Sequence, residues 1–82
     1  MWGGTMATAE ELDCRHLLCP LPVIRTQARV ARMAVGAELQ VVVTDPGALE
    51  DIPAWCRVHG HEVVATEAAG DEQRIRIRVG GG

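Results

Sequence analysis

The 82-residue sequence contains no phenylalanine, no tyrosine and no lysine. With Trp2 and Trp55 as the only aromatics, a core has to be built from Val, Ile, Leu and Ala, and no platform exists on which nucleobases could stack. The eight basic residues are all arginine and eleven acids outnumber them, for a formal net charge of −3. Binding that depends on neutralising phosphates is therefore disfavoured, and no direct nucleic-acid partner is expected. Also missing are a secretory h-region and any apolar run near the ~20 residues needed to span a bilayer. Together with an odd set of cysteines (Cys14, Cys19, Cys56), this suggests a cytoplasmic protein with reduced thiols and no membrane partner.

What is present is 48% hydrophobic and reads as one domain. Residues 1–9 have little periodicity and are set aside as a disordered or extraneous lead, leaving a domain over 10–79 and a flexible glycine tail over 80–82. Leu12 to Cys14 reads as a short strand. From Pro20 on, Leu21, Ile24, Ala28, Ala31 and Val35 recur at steps of three and four, with Arg25, Arg29 and Arg32 on the other side. That is an amphipathic helix, ended by Gly36. Leu39 to Thr44 (LQVVVT) has the length and valine content of an interior strand.

Thr44-Asp45-Pro46-Gly47 marks a turn in which Asp45 can cap and Pro46 can start a helical turn. A second helix is expected from about Asp51 to His59, with Pro53 in its first turn and Gly60 closing it. His61 to Glu67 and Arg74 to Val79 read as a hairpin about Gly70-Asp71, with Ile75, Ile77 and Val79 inward and Arg74, Arg76 and Arg78 outward. The arginine rows on this strand and on the first helix are read first as solvated faces, and second as docking surfaces for an acidic partner protein. The expected fold is a two-layer α/β sandwich of order βαβαββ: a mixed four-stranded sheet with two helices on one face and the other face open to water.

The chemistry concentrates in HLLCPLP, residues 16–22. Segments leaving parallel strands meet at one sheet edge, so Cys19 and Asp45 should be neighbours in space. The spacing predicts Cys19 as N-cap of the first helix and Pro20 as its first residue, which presents the thiol outward at the positive helix end. Pro20 and Pro22 remove two free N–H donors there, so they serve rigidity more than thiol activation. Cys14 and Cys56 are read as buried structural cysteines. No metal site is expected, because the C-x4-C spacing is not a zinc pair; His16, His59 and His61 are read as surface residues.

LDCRHLLCPLPVIRT resembles the LDxxGLxCPxP signature of the TusA (SirA-like) sulfur carriers, and TDPGALEDIPAWCRVHGHEVV is similar to that family's second block. The resemblance covers residues 11 to about 79. It implies that Cys19 accepts sulfane sulfur as a persulfide from a donor protein (a cysteine desulfurase or rhodanese) and passes it to an acceptor of DsrE-like or Hdr-like type. No cofactor is implied, and a monomer is expected. The pathway stays open among tRNA thiolation, molybdenum-cofactor supply and sulfur oxidation, with a lean to sulfur oxidation or general trafficking. His16 stands where the family usually has glycine, a residue suited to positive φ; a titratable imidazole there could also assist thiolate formation. Asp45 matches the family's aspartate-proline, and as an anion near sulfur it fits orienting, capping or partner recognition better than activation. Asp13 carries the same reading.

Three alternatives remain. VGGG, residues 79–82, could mark a carrier activated as a C-terminal thiocarboxylate, although such folds begin with a β-hairpin. The chain could be an interaction or regulatory module with an inert Cys19, or a redox switch through Cys14 and Cys19.

Overall fold

The computed structural model describes residues 10–81; the expected N-terminal lead and Gly82 lie outside the described residues. Six elements follow in the order β1 (Glu10–Cys14), α1 (Leu21–Val30), β2 (Glu38–Val43), α2 (Pro46–His59), β3 (Glu62–Ala69) and β4 (Glu72–Arg78). The sheet order is β1-β2-β4-β3, with β1 parallel to β2 and the remaining neighbours antiparallel. This is the expected βαβαββ sandwich.

Strand alternation sends Leu12, Cys14, Leu39, Val41, Val43, Ile75 and Ile77 to one face, where Val30, Ala48, Ile52 and Cys56 of the helices close over them. On the open face, directly opposed Val42 and Arg74 share a register position, and Val42 is buried there. The arginine row is largely neutralised within the sheet. Arg78 pairs with Glu62 (3.0 Å) and Glu38 (3.2 Å), Arg76 lies 4.0 Å from Glu38, and Arg74 lies 3.6 Å from Glu72. It is a solvated ion-pair ladder, and its acids remove most of the field that would draw an acidic partner.

The first helix departs from expectation in two ways. It ends at Val30, and Gly36 (φ 92°) instead shapes the later turn, where its amide donates to Val79 O (2.8 Å). More consequentially, the stripe expected inside faces out. Leu21, Ile24, Ala28, Ala31 and Val35 are all exposed, while Pro22, Thr26 and Val30 are buried with Val23 and Met33 packed beside them. A 3.6-residue period identifies an apolar stripe, yet α1 carries two, and the inner one was hidden by a proline and a threonine.

The second helix starts at Pro46, five residues before the expected start, because Asp45 caps it directly. Pro53 consequently lies inside the helix, where it forfeits one backbone hydrogen bond. Ala48, Ile52 and Cys56 recur at four-residue steps and supply its buried edge. Gly60, left-handed at φ 80°, ends it. His61 is not a loose surface residue: its ring lies 4.9 Å from that of Trp55, and its Nδ1 accepts the Gly80 amide at 3.0 Å. Gly80 itself packs so closely that an added Cβ would fall 1.8 Å from Gly60 O, so the glycine tail is anchored at its first residue.

Candidate functional site

The turns that follow β1 and β2 lie side by side, as parallel pairing requires. Leu17 N–H closes the first turn on Cys14 O at 3.3 Å, and His16 N–H crosses to Thr44 Oγ1 at 2.9 Å. His16 takes the left-handed conformation at φ 66°, so the imidazole residue occupies a backbone suited to glycine. His16 is not among the groups that shift the Cys19 thiol.

Asp45 joins the two turns. Its Oδ2 accepts the Cys19 amide at 2.9 Å while Oδ1 reaches the Gly47 amide at 3.5 Å, so one carboxylate caps α2 and pins the backbone of Cys19. A Cβ built on Gly47 would lie 3.7 Å from Cys19 Cβ, a measure of how closely the first turn of α2 approaches the thiol. Cys19 is not the N-cap. Pro20 (φ −100°, ψ 16°) occupies that position after a cis Cys19–Pro20 bond, with Leu21 and Pro22 as the first helical residues. Leu21 N–H is spent on Leu18 O (2.9 Å), and Pro22 has none to give. The start of α1 therefore offers the sulfur little of the usual helix-end attraction for anions.

A residue that the sequence reading assigned only to the edge of a helix completes the site. Cys19 Sγ–H donates to Asp51 Oδ2. That bond is the largest cause raising the thiol pKa above its ordinary 9.0, followed by desolvation and by the negative charges of Asp51 and Asp45. The spacing of 32 residues hid the contact; the usable signal was that an acid early in a helix capped by Asp45 must lie at the same sheet edge. Asp13, in contrast, is not brought to the sulfur. Its carboxylate takes the Arg15 amide and guanidinium, each at 3.0 Å, and that bonding is what lowers its pKa.

Of the three free cysteines, Cys19 alone is exposed. Cys14 and Cys56 are buried, and burial raises both thiols, Cys56 to about 11. Residues about the start of α1 are apolar and exposed: Leu18 at 71%, Ile24 at 54%, and Leu21. Arg25 on α1 and Arg32 beyond its end are exposed, and Arg29 is tied to Glu10 at 2.9 Å.

A family model described as sulfurtransferase TusA matches residues 10–79, which spans every element that builds this site. The chain belongs to the TusA family. Two relatives from Bacillus subtilis (strain 168) bear the description "putative sulfur carrier protein": YrkF, 39% identical over 70 residues, and YrkI, 33% identical over 75. The match to YrkI takes in 92% of this chain and the whole of that protein, whereas the match to YrkF takes in 85% of this chain and 38% of that protein. Against the first of these relatives, this chain corresponds to well under half the length. The crystal structure of a SirA-like protein from Desulfitobacterium hafniense superposes with a TM-score of 0.77 at 21% identity, covering 85% of this chain and 96% of that one. At that identity the likeness is one of fold.

Proposed function

We propose that this protein is a sulfur carrier that holds sulfane sulfur as a persulfide on Cys19, taking it from a donor protein and giving it to an acceptor. Membership of the TusA family supports the carrier role. The observation that carries the persulfide reading is the presentation of Cys19: an exposed thiol on a proline-flanked turn, its amide fixed by Asp45. Transfer of this kind is thiolate attack on a sulfur–sulfur bond, which requires a sulfur open to another protein's cysteine and no enclosing pocket. Rigidity serves the same end, since a turn stiffened by Pro20 and Pro22 loses little entropy when a partner docks.

On this reading the exposed Leu18, Leu21 and Ile24, at the start of α1, form an apolar docking rim on one side of the thiol. The donor is read as a cysteine desulfurase or rhodanese, the acceptor as a DsrE-like or Hdr-like protein, in sulfur oxidation or general trafficking within the cytoplasm. A thiocarboxylate on the C-terminal glycines is the weaker reading, because Gly80 is held by His61 and packs on Gly60, and the described elements run strand-helix-strand from Glu10.

The test is mass spectrometry after incubation with a cysteine desulfurase and L-cysteine. A gain of about 32 Da, one sulfur atom, on the peptide holding Cys19 is expected. Its absence from wild type, or its persistence in Cys19→Ser, would sink the reading, as would a C-terminal thiocarboxylate.

A further inference from the structure

An exposed nucleophile is ordinarily helped by its surroundings, through a neighbouring cation or a helix N-terminus. Around Cys19 the described residues do the reverse. The charged groups that act on its sulfur are Asp51 and Asp45, both anionic and both on or capping α2. The guanidiniums of α1 that bear on a thiol, Arg25 and Arg29, act on buried Cys14 instead.

The two carboxylates hold different parts of Cys19. Asp45 takes the main-chain N–H, which is available whatever the state of the sulfur. Asp51 takes the Sγ–H, a bond that exists only while Sγ carries a proton. A thiolate in the same place would have nothing to donate and would face a carboxylate. Loading has the same effect by another route, since a persulfide replaces that hydrogen with a second sulfur roughly 2 Å away.

We propose that Asp51 is a positioning residue that latches the empty carrier: it keeps the Cys19 sulfur protonated and turned toward α2 until a partner's basic side chain engages the carboxylate and frees the thiol. Its place in a sulfur relay rests on the persulfide reading above. The step it restrains is Cys19–SH + R–S–SH → Cys19–S–SH + R–SH. The bond from Sγ to the donor's terminal sulfur forms, and the donor's S–S bond breaks. The electron pair leaves on R–S⁻, the Cys19 proton ends on that thiolate, and there is no net oxidation. The latch slows this step for small electrophiles that cannot engage Asp51, and it is absent once sulfur is loaded. The empty form is thereby quiet and the loaded form unlocked.

The test is the pH dependence of iodoacetamide alkylation at Cys19, followed by mass spectrometry so that Cys14 and Cys56 do not contribute, in wild type, Asp51→Asn, Asp51→Ala and Asp51→Glu. Removing the carboxylate should move the alkylation midpoint to lower pH. Each unit of that move multiplies the thiolate fraction tenfold and costs about threefold in intrinsic nucleophilicity, for a net gain of about threefold at pH 7. Asp51→Glu, which keeps charge and acceptor, should return the midpoint toward wild type. A purely structural Asp51 would lower the melting temperature and leave the midpoint in place. An unchanged or raised midpoint in both Asn and Ala variants overturns the proposal. In a parallel arm, loading from sodium tetrasulfide should accelerate with alkylation. If no persulfide forms on Cys19 in any variant, the carrier reading fails, while the alkylation midpoints still decide the latch.

Discussion

Asp45→Ala removes two hydrogen bonds with one substitution, and their combined worth follows from the geometry. The contact of Oδ1 with Gly47 N–H, at 3.5 Å, is long and belongs at the lower end of the roughly 0.5–2 kcal/mol measured for N-cap replacement. The contact of Oδ2 with Cys19 N–H, at 2.9 Å, is a charge-assisted bond of good length, worth about 1–2 kcal/mol after allowance for the half-exposed carboxylate. We expect a total loss of about 1.5–3 kcal/mol. For a domain of this size each kcal/mol lowers the melting temperature by about 4–8 °C. Urea unfolding followed by circular dichroism measures the loss directly. Asp45→Asn keeps an oxygen that caps equally well, so it should recover most of the stability. It should still remove one anion from beside the sulfur, moving the Cys19 alkylation midpoint to lower pH. An alanine variant within about 0.5 kcal/mol of wild type would show that Asp45 does not join the two turns, and the account of how Cys19 is held would fall with it.

His16→Gly relieves a left-handed backbone that costs a non-glycine residue about 1–2 kcal/mol, against about 0.5–1 kcal/mol of added unfolded-chain entropy; a gain of up to about 1 kcal/mol in urea is expected, with the Cys19 alkylation midpoint unmoved. Thr26 is fully buried and its Oγ1 has no partner among the described residues, so Thr26→Val should be stabilising by about 1 kcal/mol, and a comparable loss would reveal a hidden bond. Cys56 sets a pH dependence. Its thiol titrates near 11 when folded and near 9.0 when unfolded, so above about pH 9 the unfolded chain binds fewer protons and stability falls as pH rises through 11; Cys56→Ala should flatten that decline. Exposure separates the three thiols: native protein at pH 8 should show one that is alkylated without unfolding, Cys19, and two that react only on unfolding.

The element order, the parallel first pair and the juxtaposition of Cys19 with Asp45 were legible in the sequence, because valine-rich runs, a proline-bounded turn and the geometry of a βαβ unit each point the same way. The facing of α1 was not. Two apolar stripes share that helix, and which one meets the sheet depends on how closely Pro22 and Thr26 can approach β1 and β2, a matter of shape and not of hydrophobicity. The cap position shifted by one residue because Pro20 took the non-helical conformation assigned to Cys19. Asp51 escaped notice because a second helix begun at Pro46, five residues early, is what turns an apparent helix start into a second-turn side chain beside the sulfur.

The outward stripe of α1 has a consequence for traffic. One thiol is exposed, beside that stripe's first residues, so on the carrier reading two cysteines from different proteins cannot both reach it. Donor and acceptor must queue. Every delivery then includes the departure of the previous client, and a rim that gripped either too firmly would stall the relay even with fast chemistry. The small area framed by Leu18, Leu21 and Ile24 suits such a post: enough contact to orient a sulfur for its exchange, and little enough to let go in milliseconds.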